Sequence, residues 1–216
     1  MNIAVYGAQG RVGSKVVQIA EQRGHTVIPI DKKNSENSSL NKKPDKTTNC
    51  CNVDVVIDFS TASATQDVCD FCRIHHCALV SGVTGRNEVQ QALIDGLSQE
   101  LPVVCKANFS IGVNMLQRIC EIVAKELADW DCEIVEIHRK GKLDAPSGTA
   151  KSLAATVARK GSFKHVTTHA LRIGSNFGRH EVIFATNGES LTLTHQAENV
   201  EIFALGAIIE AEKLVK

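Results

Sequence analysis

The sequence predicts an α/β protein in two parts. An N-terminal doubly wound parallel sheet spans 1–108 and is completed by 201–216, and a C-terminal α+β domain with an open mixed sheet spans 109–200. Three observations carry this prediction. In the first half, short apolar runs alternate with stretches of helical period, and glycine-bearing turns follow the runs at their C-terminal ends. Beyond about residue 110 the character changes to one helical face and then runs of period two, so helices and strands segregate. The tail from Ile202 to Val215 returns to helical spacing, with Phe203, Ala207, Ile208 and Leu214 apolar, and is expected to rejoin the first domain.

With 216 residues, 43% of them hydrophobic, the chain holds one large core or two modest ones. Lys plus Arg and Asp plus Glu both total 24, so no whole-chain field favours nucleic acid, and any basic character is local. Met1 to Gly7 run straight into an apolar strand without a secretory leader, and no transmembrane-length apolar run follows. The eight cysteines are scattered, several inside periodic apolar segments, as small buried hydrophobes are in a reducing compartment. The expectation is a cytoplasmic protein with no membrane and no nucleic-acid partner.

Asn2 to Tyr6 reads as a short buried strand. Gly7-Ala-Gln-Gly-Arg-Val-Gly13 follows, and Val12, Val16, Ile19 and Ala20 recur at helical spacing until Gly24. A second strand, Thr26 to Ile30, ends at Asp31. Strand, glycine turn, helix, strand and terminal acid within about thirty residues make a dinucleotide-binding unit of Rossmann-like type. Glycines are needed because a pyrophosphate must come close to the backbone at a helix N-terminus. Asp31 stands where a ribose hydroxyl acceptor belongs. Lys32 and Lys33 suit either a 2′-phosphate or plain loop charge, so NADH and NADPH both stay open.

Residues 32–51 are polar and rich in Asn, Ser and Lys, a surface excursion by composition. Val53 to Ile57 suits a buried parallel strand, with Asp58-Phe-Ser-Thr61 at the end where open α/β sheets bind ligands. A helix from about Ala64 to Ile74 follows. Its Cys69 and Cys72, with His75, His76 and Cys77, invite a zinc reading. The cysteine pair, however, falls at i and i+3 on an apolar face and has no second ligand pair at zinc spacing, so core cysteines and no metal are expected. Ala78 to Ser81 is a fourth strand, and Gly82-Val-Thr-Gly85 after it suits contact with a nicotinamide ring. Asn87 to Leu97 is helical by spacing, and Pro102 to Cys105 is a fifth strand leading into Lys106 to Asn114.

In the second part, Leu116, Ile119, Cys120, Val123 and Leu127 line one helical face. Strands are expected at Cys132 to His138, Val166 to Arg172, Glu181 to Thr186 and Leu191 to His195, with a helix from Ser147 to about Arg159 ended by Gly161. Such a small sheet is expected to keep an apolar face for copies of itself. The stretch Glu133 to Ala150 gathers His138, Arg139, Lys140 and Lys142 between a strand end and a Pro-Ser-Gly-Thr helix start. With Ser147 as N-cap, the amides of Gly148 and Thr149 point at an incoming anion. A small carboxylate fits there, held by Lys142, Arg139, Gly148 and Thr149.

Glu136-Ile-His-Arg-Lys-Gly-Lys-Leu-Asp-Ala-Pro-Ser-Gly-Thr-Ala150 resembles the pattern E-x-H-H-x-x-K-x-D-A-P-S-G-T-A of the 4-hydroxy-tetrahydrodipicolinate reductase family nearly in full. Gly7 to Gly13, Asp58-Phe-Ser60, Gly82 to Gly85, Ala107-Asn-Phe-Ser-Ile-Gly-Val-Asn114 and Phe203-Ala-Leu-Gly-Ala207 follow in family order along the whole chain. Arg139 takes the place of the second histidine of the family's pair, and Val200 stands where many members carry arginine. The resemblance implies reduction of a cyclic dianion with hydride from NADH or NADPH and loss of water, in lysine and diaminopimelate synthesis, by a homotetramer. It implies His138 and Lys142 as the catalytic pair. Cofactor contacts are expected from Gly7, Ala8, Gln9, Gly10, Arg11, Val12, Asp31, Phe59, Ser60, Gly82, Val83, Thr84, Ala107, Asn108 and Phe109. A related two-domain Rossmann dehydrogenase, acting on an amino acid or a semialdehyde, is the alternative enzyme reading, and a semialdehyde oxidiser would need Cys105 or Cys132 as nucleophile.

Overall fold

Five apolar runs line up as one parallel sheet: β1 (Asn2–Tyr6), β2 (Thr26–Ile30), β3 (Val55–Asp58), β4 (Ala78–Ser81) and β5 (Val103–Cys105), in the spatial order β2-β1-β3-β4-β5. The computed structural model describes residues 1–31, 52–161, 163 and 165–216, so the expected surface excursion and its Lys32 and Lys33 lie outside the described residues. β3 and β4 are buried along their whole length, as strands covered on both faces must be. Pro29 is tolerated because β2 is an edge strand, where a missing amide removes no ladder bond on the open side.

Successive strand residues alternate between two cores. Ile3, Val5, Val55, Ile57 and Val80 face one core, against α1 (Gly13–Gln22) and α6 (Glu201–Leu214). Ala4, Tyr6, Val56 and Leu79 face the other, against α2 (Thr65–His75), which follows a 3₁₀ turn at Ala62–Ala64, and α3 (Glu88–Glu100). Asn87 and Gln90 close a reciprocal capping box that starts α3. The helix runs past Leu97, its last buried residue, because its final turn is polar and gives no periodic signal. Cys69, Cys72 and Cys77 are buried in the second core.

α6 buries small residues, and at Gly206 an added Cβ would lie 1.8 Å from the carbonyl oxygen of Phe109. Glu212 ties α6 to Arg23 at 2.7 Å and His25 at 2.9 Å, and Glu210 pairs with Lys106 at 3.0 Å.

The chain divides into two compact units, Met1–Phe109 with Phe203–Lys216, and Ser110–Ile202. The changes of unit come one and two residues past the expected 108 and 200. At the first, the Phe109 side chain belongs to the first core, while Ser110 caps the first helix of the second unit.

In the second unit, β6 (Asp131–His138), β7 (Val166–Arg172), β8 (Arg179–Thr186) and β9 (Glu189–Gln196) form a mixed sheet ordered β7-β6-β8-β9. β6 pairs parallel with β7 and antiparallel with β8. Cys132, Ile134, Val182 and Phe184 share a core with Leu116 and Cys120 of α4 (Ile111–Glu126) and Leu153 and Val157 of α5 (Gly148–Lys160). Gly161 ends α5, where a Cβ would meet the Phe163 ring at 2.1 Å and the Ala124 carbonyl oxygen at 2.6 Å. β8 begins two residues before the alternation predicts, because Arg179 and His180 still pair with β6. The opposite face of the sheet, with Val135, Ile137, Leu171 and Ile183, is partly exposed.

No helix among the described residues is long and apolar enough to cross a membrane.

Candidate functional sites

In the first unit the site forms where β1 and β3 leave the sheet in opposite topological directions, the crevice where doubly wound folds bind ligands. Gly7 has φ +74°, and a Cβ there would lie 2.8 Å from the Phe59 carbonyl oxygen. At Gly10 a Cβ would lie 2.9 Å, and at Gly13 2.0 Å, from the Gly7 carbonyl oxygen. The turn is therefore closed to side chains from within and presents backbone, the surface a pyrophosphate needs. Val12 precedes α1 with no side-chain cap bond. Asp31 accepts the Gln9 amide at 2.7 Å, which sets its carboxylate beside the turn. These residues fit a dinucleotide.

Phe59 and Ser60 lie against Gly7, and a Cβ on Gly82 would meet the Phe59 ring at 2.3 Å. The ends of β1, β2, β3 and β4 thus bring Gly7 to Val12, Asp31, Phe59, Ser60 and Gly82 into one region. Val83 and Thr84 continue from Gly82, and Ala107 and Asn108 follow β5. The Phe109 ring differs from expectation: it is buried in the core at 2% exposure and packs edge-on to Phe59, so it lends a ligand backbone at most.

In the second unit the site is built on the end of β6. Alternation places Glu136 and His138 on the buried face, and Glu136 is fully enclosed. One Glu136 oxygen accepts from His138 Nδ1 and from Arg172 Nη1 at 2.9 Å. The other accepts from Arg172 Nη2 at 2.7 Å and from the Ser147 amide at 3.0 Å. A buried carboxylate accepts bonds only, so Nδ1 of His138 carries the proton and Nε2 faces outward from that pair.

Arg172 also bonds the Asp144 carbonyl at 2.6 Å, while the Asp144 carboxylate holds Lys142 Nζ at 2.7 Å. Ser147 caps α5, its hydroxyl taking the Ala150 amide at 3.2 Å and meeting His180 Nε2 at 3.2 Å. His138 and His180 stack edge to face at 5.2 Å. His138, Lys142 and the start of α5 at Gly148 and Thr149 are therefore joined through one bonded frame, which the Ala145–Pro146 cis peptide lies within. At Gly148 an added Cβ would meet nothing within 4 Å. Arg139 is exposed and is held here through its backbone, its amide bonding the Asn176 carbonyl at 2.8 Å.

Burial pushes the Glu136 carboxyl up, but Arg172, His138 and the Ser147 amide outweigh it and leave it below the usual range. Burial lowers His138 against the opposing pull of Glu136, with Lys142 and Arg172 adding to the lowering. His180 is driven from 6.5 to about 4, first by burial and then by the charge of its neighbour His138. Between those two values the unfolded chain binds the extra proton, so stability is complete above the unfolded value and is lost as pH falls toward 4. Urea unfolding should show a stability loss of about 3 kcal/mol over that window from His180. A midpoint that does not move there would contradict this burial.

Burial raises the thiol of Cys132 to about 12, and partial desolvation raises that of Cys105 although it reaches the surface, both opposite to what a nucleophile needs. Among the described residues, no group of three or more His, Cys, Asp or Glu is placed to hold a metal.

Glu136, Arg172 and His180 were not assigned from sequence. Glu136 carried one signal, a charge on the apolar phase of an alternating strand, while the other two reach it through sheet register.

The family model described as dihydrodipicolinate reductase, N-terminus, matches residues 1–109, and that described as dihydrodipicolinate reductase, C-terminus, matches 112–216. A 4-hydroxy-tetrahydrodipicolinate reductase of Thermosipho africanus is 35% identical over 213 residues, 98% of this chain and 90% of the relative. One of Stenotrophomonas maltophilia is 34% identical over 221 residues, 99% of this chain and 92% of the relative. Among solved structures, a dipicolinate-bound dihydrodipicolinate reductase from Paenisporosarcina aligns over 100% of this chain and 94% of its own, with TM-score 0.80 at 22% identity. An aspartate semialdehyde dehydrogenase from Vibrio cholerae aligns over 99% of this chain and 97% of its own, with TM-score 0.58 at 10% identity, a likeness of fold alone.

Proposed function

Because the chain belongs to the dihydrodipicolinate reductase family, we propose that its glycine turn holds the nicotinamide cofactor and that the loop from His138 to Thr149 binds and protonates the substrate. The reaction is the NAD(P)H-dependent reduction of 4-hydroxy-tetrahydrodipicolinate to tetrahydrodipicolinate with loss of water, a step of lysine and diaminopimelate synthesis. Bound at the turn, NADH or NADPH supplies a hydride. Gly7, Ala8, Gln9, Gly10, Arg11 and Val12 take the pyrophosphate, Asp31 a ribose hydroxyl, and Phe59, Ser60, Gly82, Val83, Thr84, Ala107, Asn108 and the Phe109 backbone the remainder.

The substrate is a small dicarboxylate. Lys142 and the α5 N-terminus at Gly148 and Thr149 hold one carboxylate, with Arg139 adding charge at the rim. Reduction leaves electron density on the ring, and a proton must meet it. His138 and Lys142 are the pair that polarises the substrate and delivers that proton. A dianion beside His138 favours its charged form, offsetting the effect of burial, so the imidazole gains its proton when substrate arrives. Glu136 fixes the ring by its Nδ1, leaving Nε2 to donate.

The observation that carries this reading is the single enclosed Glu136 carboxylate, which binds His138, Arg172 and the Ser147 amide together. The test is nicotinamide oxidation on enzymatically generated 4-hydroxy-tetrahydrodipicolinate, with NADH and NADPH side by side. Oxidation of either supports the reading, and oxidation of neither overturns it. Asp31→Ala is expected to weaken NADH more than NADPH, since only NADH keeps the free 2′-hydroxyl. Equal losses would sink the ribose role. The half-exposed sheet face supports a homotetramer, and the buried cysteines suit the cytoplasm.

A further inference from the structure

Two opposite charges are enclosed at the end of β4, the Arg86 side chain at 6% exposure and Asp58 at 1%, with Arg86 Nη2 3.6 Å from Asp58 Oδ2. Enclosing such a pair is costly unless its bonding directions are satisfied. Here they are used to join two turns. Asp58 Oδ1 accepts the Ser60 amide at 2.9 Å and the Ser60 hydroxyl at 2.5 Å, and Oδ2 accepts the Ser81 hydroxyl at 2.9 Å. Arg86 reaches back over its own turn, donating from Nη2 to Ser81 Oγ at 2.6 Å, from Nη1 to the Val83 carbonyl at 2.9 Å, and from Nε to Thr65 Oγ1 at 3.1 Å.

The turn these bonds enclose has little conformational preference of its own. Glycine stands at both ends, and Gly85 adopts φ +76°. Gly82 is pressed against the Phe59 ring, so displacement of Val83 would be felt at Phe59 as well. We propose that Arg86, paired with Asp58, is a positioning residue for the cofactor, holding the Gly82–Gly85 turn and the Phe59-Ser60 segment in the mutual arrangement that receives the nicotinamide end. The proposal rests on the cofactor reading of Gly82, Val83 and Thr84. A lysine at this position cannot replace the guanidinium, because a point charge does not offer three donors in fixed directions.

The test is calorimetric titration of the full-length protein with NADH, using Arg86→Lys and the milder Ser81→Ala. Thr84→Trp, which places bulk on an exposed part of the turn, serves as the control for the cofactor reading. Arg86→Lys is expected to weaken NADH on the order of tenfold and raise its KM, with kcat within about twofold of the parent, and Ser81→Ala to do the same less strongly. Dipicolinate affinity should stay parental in both. If both variants lose thermal stability but bind NADH as the parent does, the pair is merely structural and the proposal falls. If Thr84→Trp also binds NADH as the parent does, the cofactor reading of the turn falls with it. Weak binding by Thr84→Trp alone overturns only the role of Arg86.

Discussion

Lys142→Ala is expected to lose on the order of a hundredfold or more in kcat/KM, with both kcat and KM affected. The side chain is a quarter exposed and its ammonium is oriented by Asp144 at 2.7 Å, which in turn is tied through its carbonyl to Arg172 and so to Glu136. The ammonium thus stands in the same bonded frame as His138, and its charge reaches both His138 and His180. On the proposed reading, removing it takes away a substrate-carboxylate contact and a charge that matters most when the substrate ring becomes electron-rich. Arg139 offers a contrast. It is exposed and held by its backbone, so Arg139→Ala should change kcat/KM by less than about tenfold. Steady-state kinetics on the two variants decide the matter, and a parental rate for Lys142→Ala would remove it from the catalytic pair.

Arg172→Met is expected to destabilise the protein by about 3 kcal/mol, because it leaves the Glu136 carboxylate enclosed without its cation. The same substitution frees the Asp144 carbonyl and loosens the loop that carries Lys142. Adding Glu136→Leu separates the two consequences. An apolar pair of similar volume restores much of the stability, since the buried charge is gone, but it leaves His138 without its Nδ1 acceptor and the Ser147 amide without its partner. Urea unfolding and turnover of the single and double variants should therefore diverge, with stability returning and activity not. Recovery of both would mean that Glu136 serves packing alone.

Much of the N-terminal unit was legible because its signals are local. A glycine turn between two strands is a backbone requirement, and Gly7, Gly10 and Gly13 prove to be places where a Cβ has no room. Ser147 as a helix cap was equally local, and it does take the Ala150 amide. The frame behind the second site was not. Glu136 sits in an alternating strand whose neighbouring acid Glu133 is exposed, and only the phase of the alternation distinguishes the two. Arg172 and His180 meet Glu136 only through the register of β6 with β7 and β8, which brings together residues 36 and 44 positions away. Arg86 escaped for a similar reason. In the sequence it is a lone cation after a turn, and only the parallel pairing of β3 with β4 sets it beside Asp58.

The central claim is that a substrate carboxylate settles at the start of α5, beside Lys142. Gly148→Val tests it most directly. A Cβ there meets no neighbouring group within 4 Å, so the fold should tolerate the substitution, and the added bulk enters the space assigned to the carboxylate. Calorimetric titration with dipicolinate in the presence of NADH should give parental melting behaviour and affinity on the order of tenfold weaker than the parent. Parental dipicolinate affinity in a normally folded Gly148→Val protein would contradict the account.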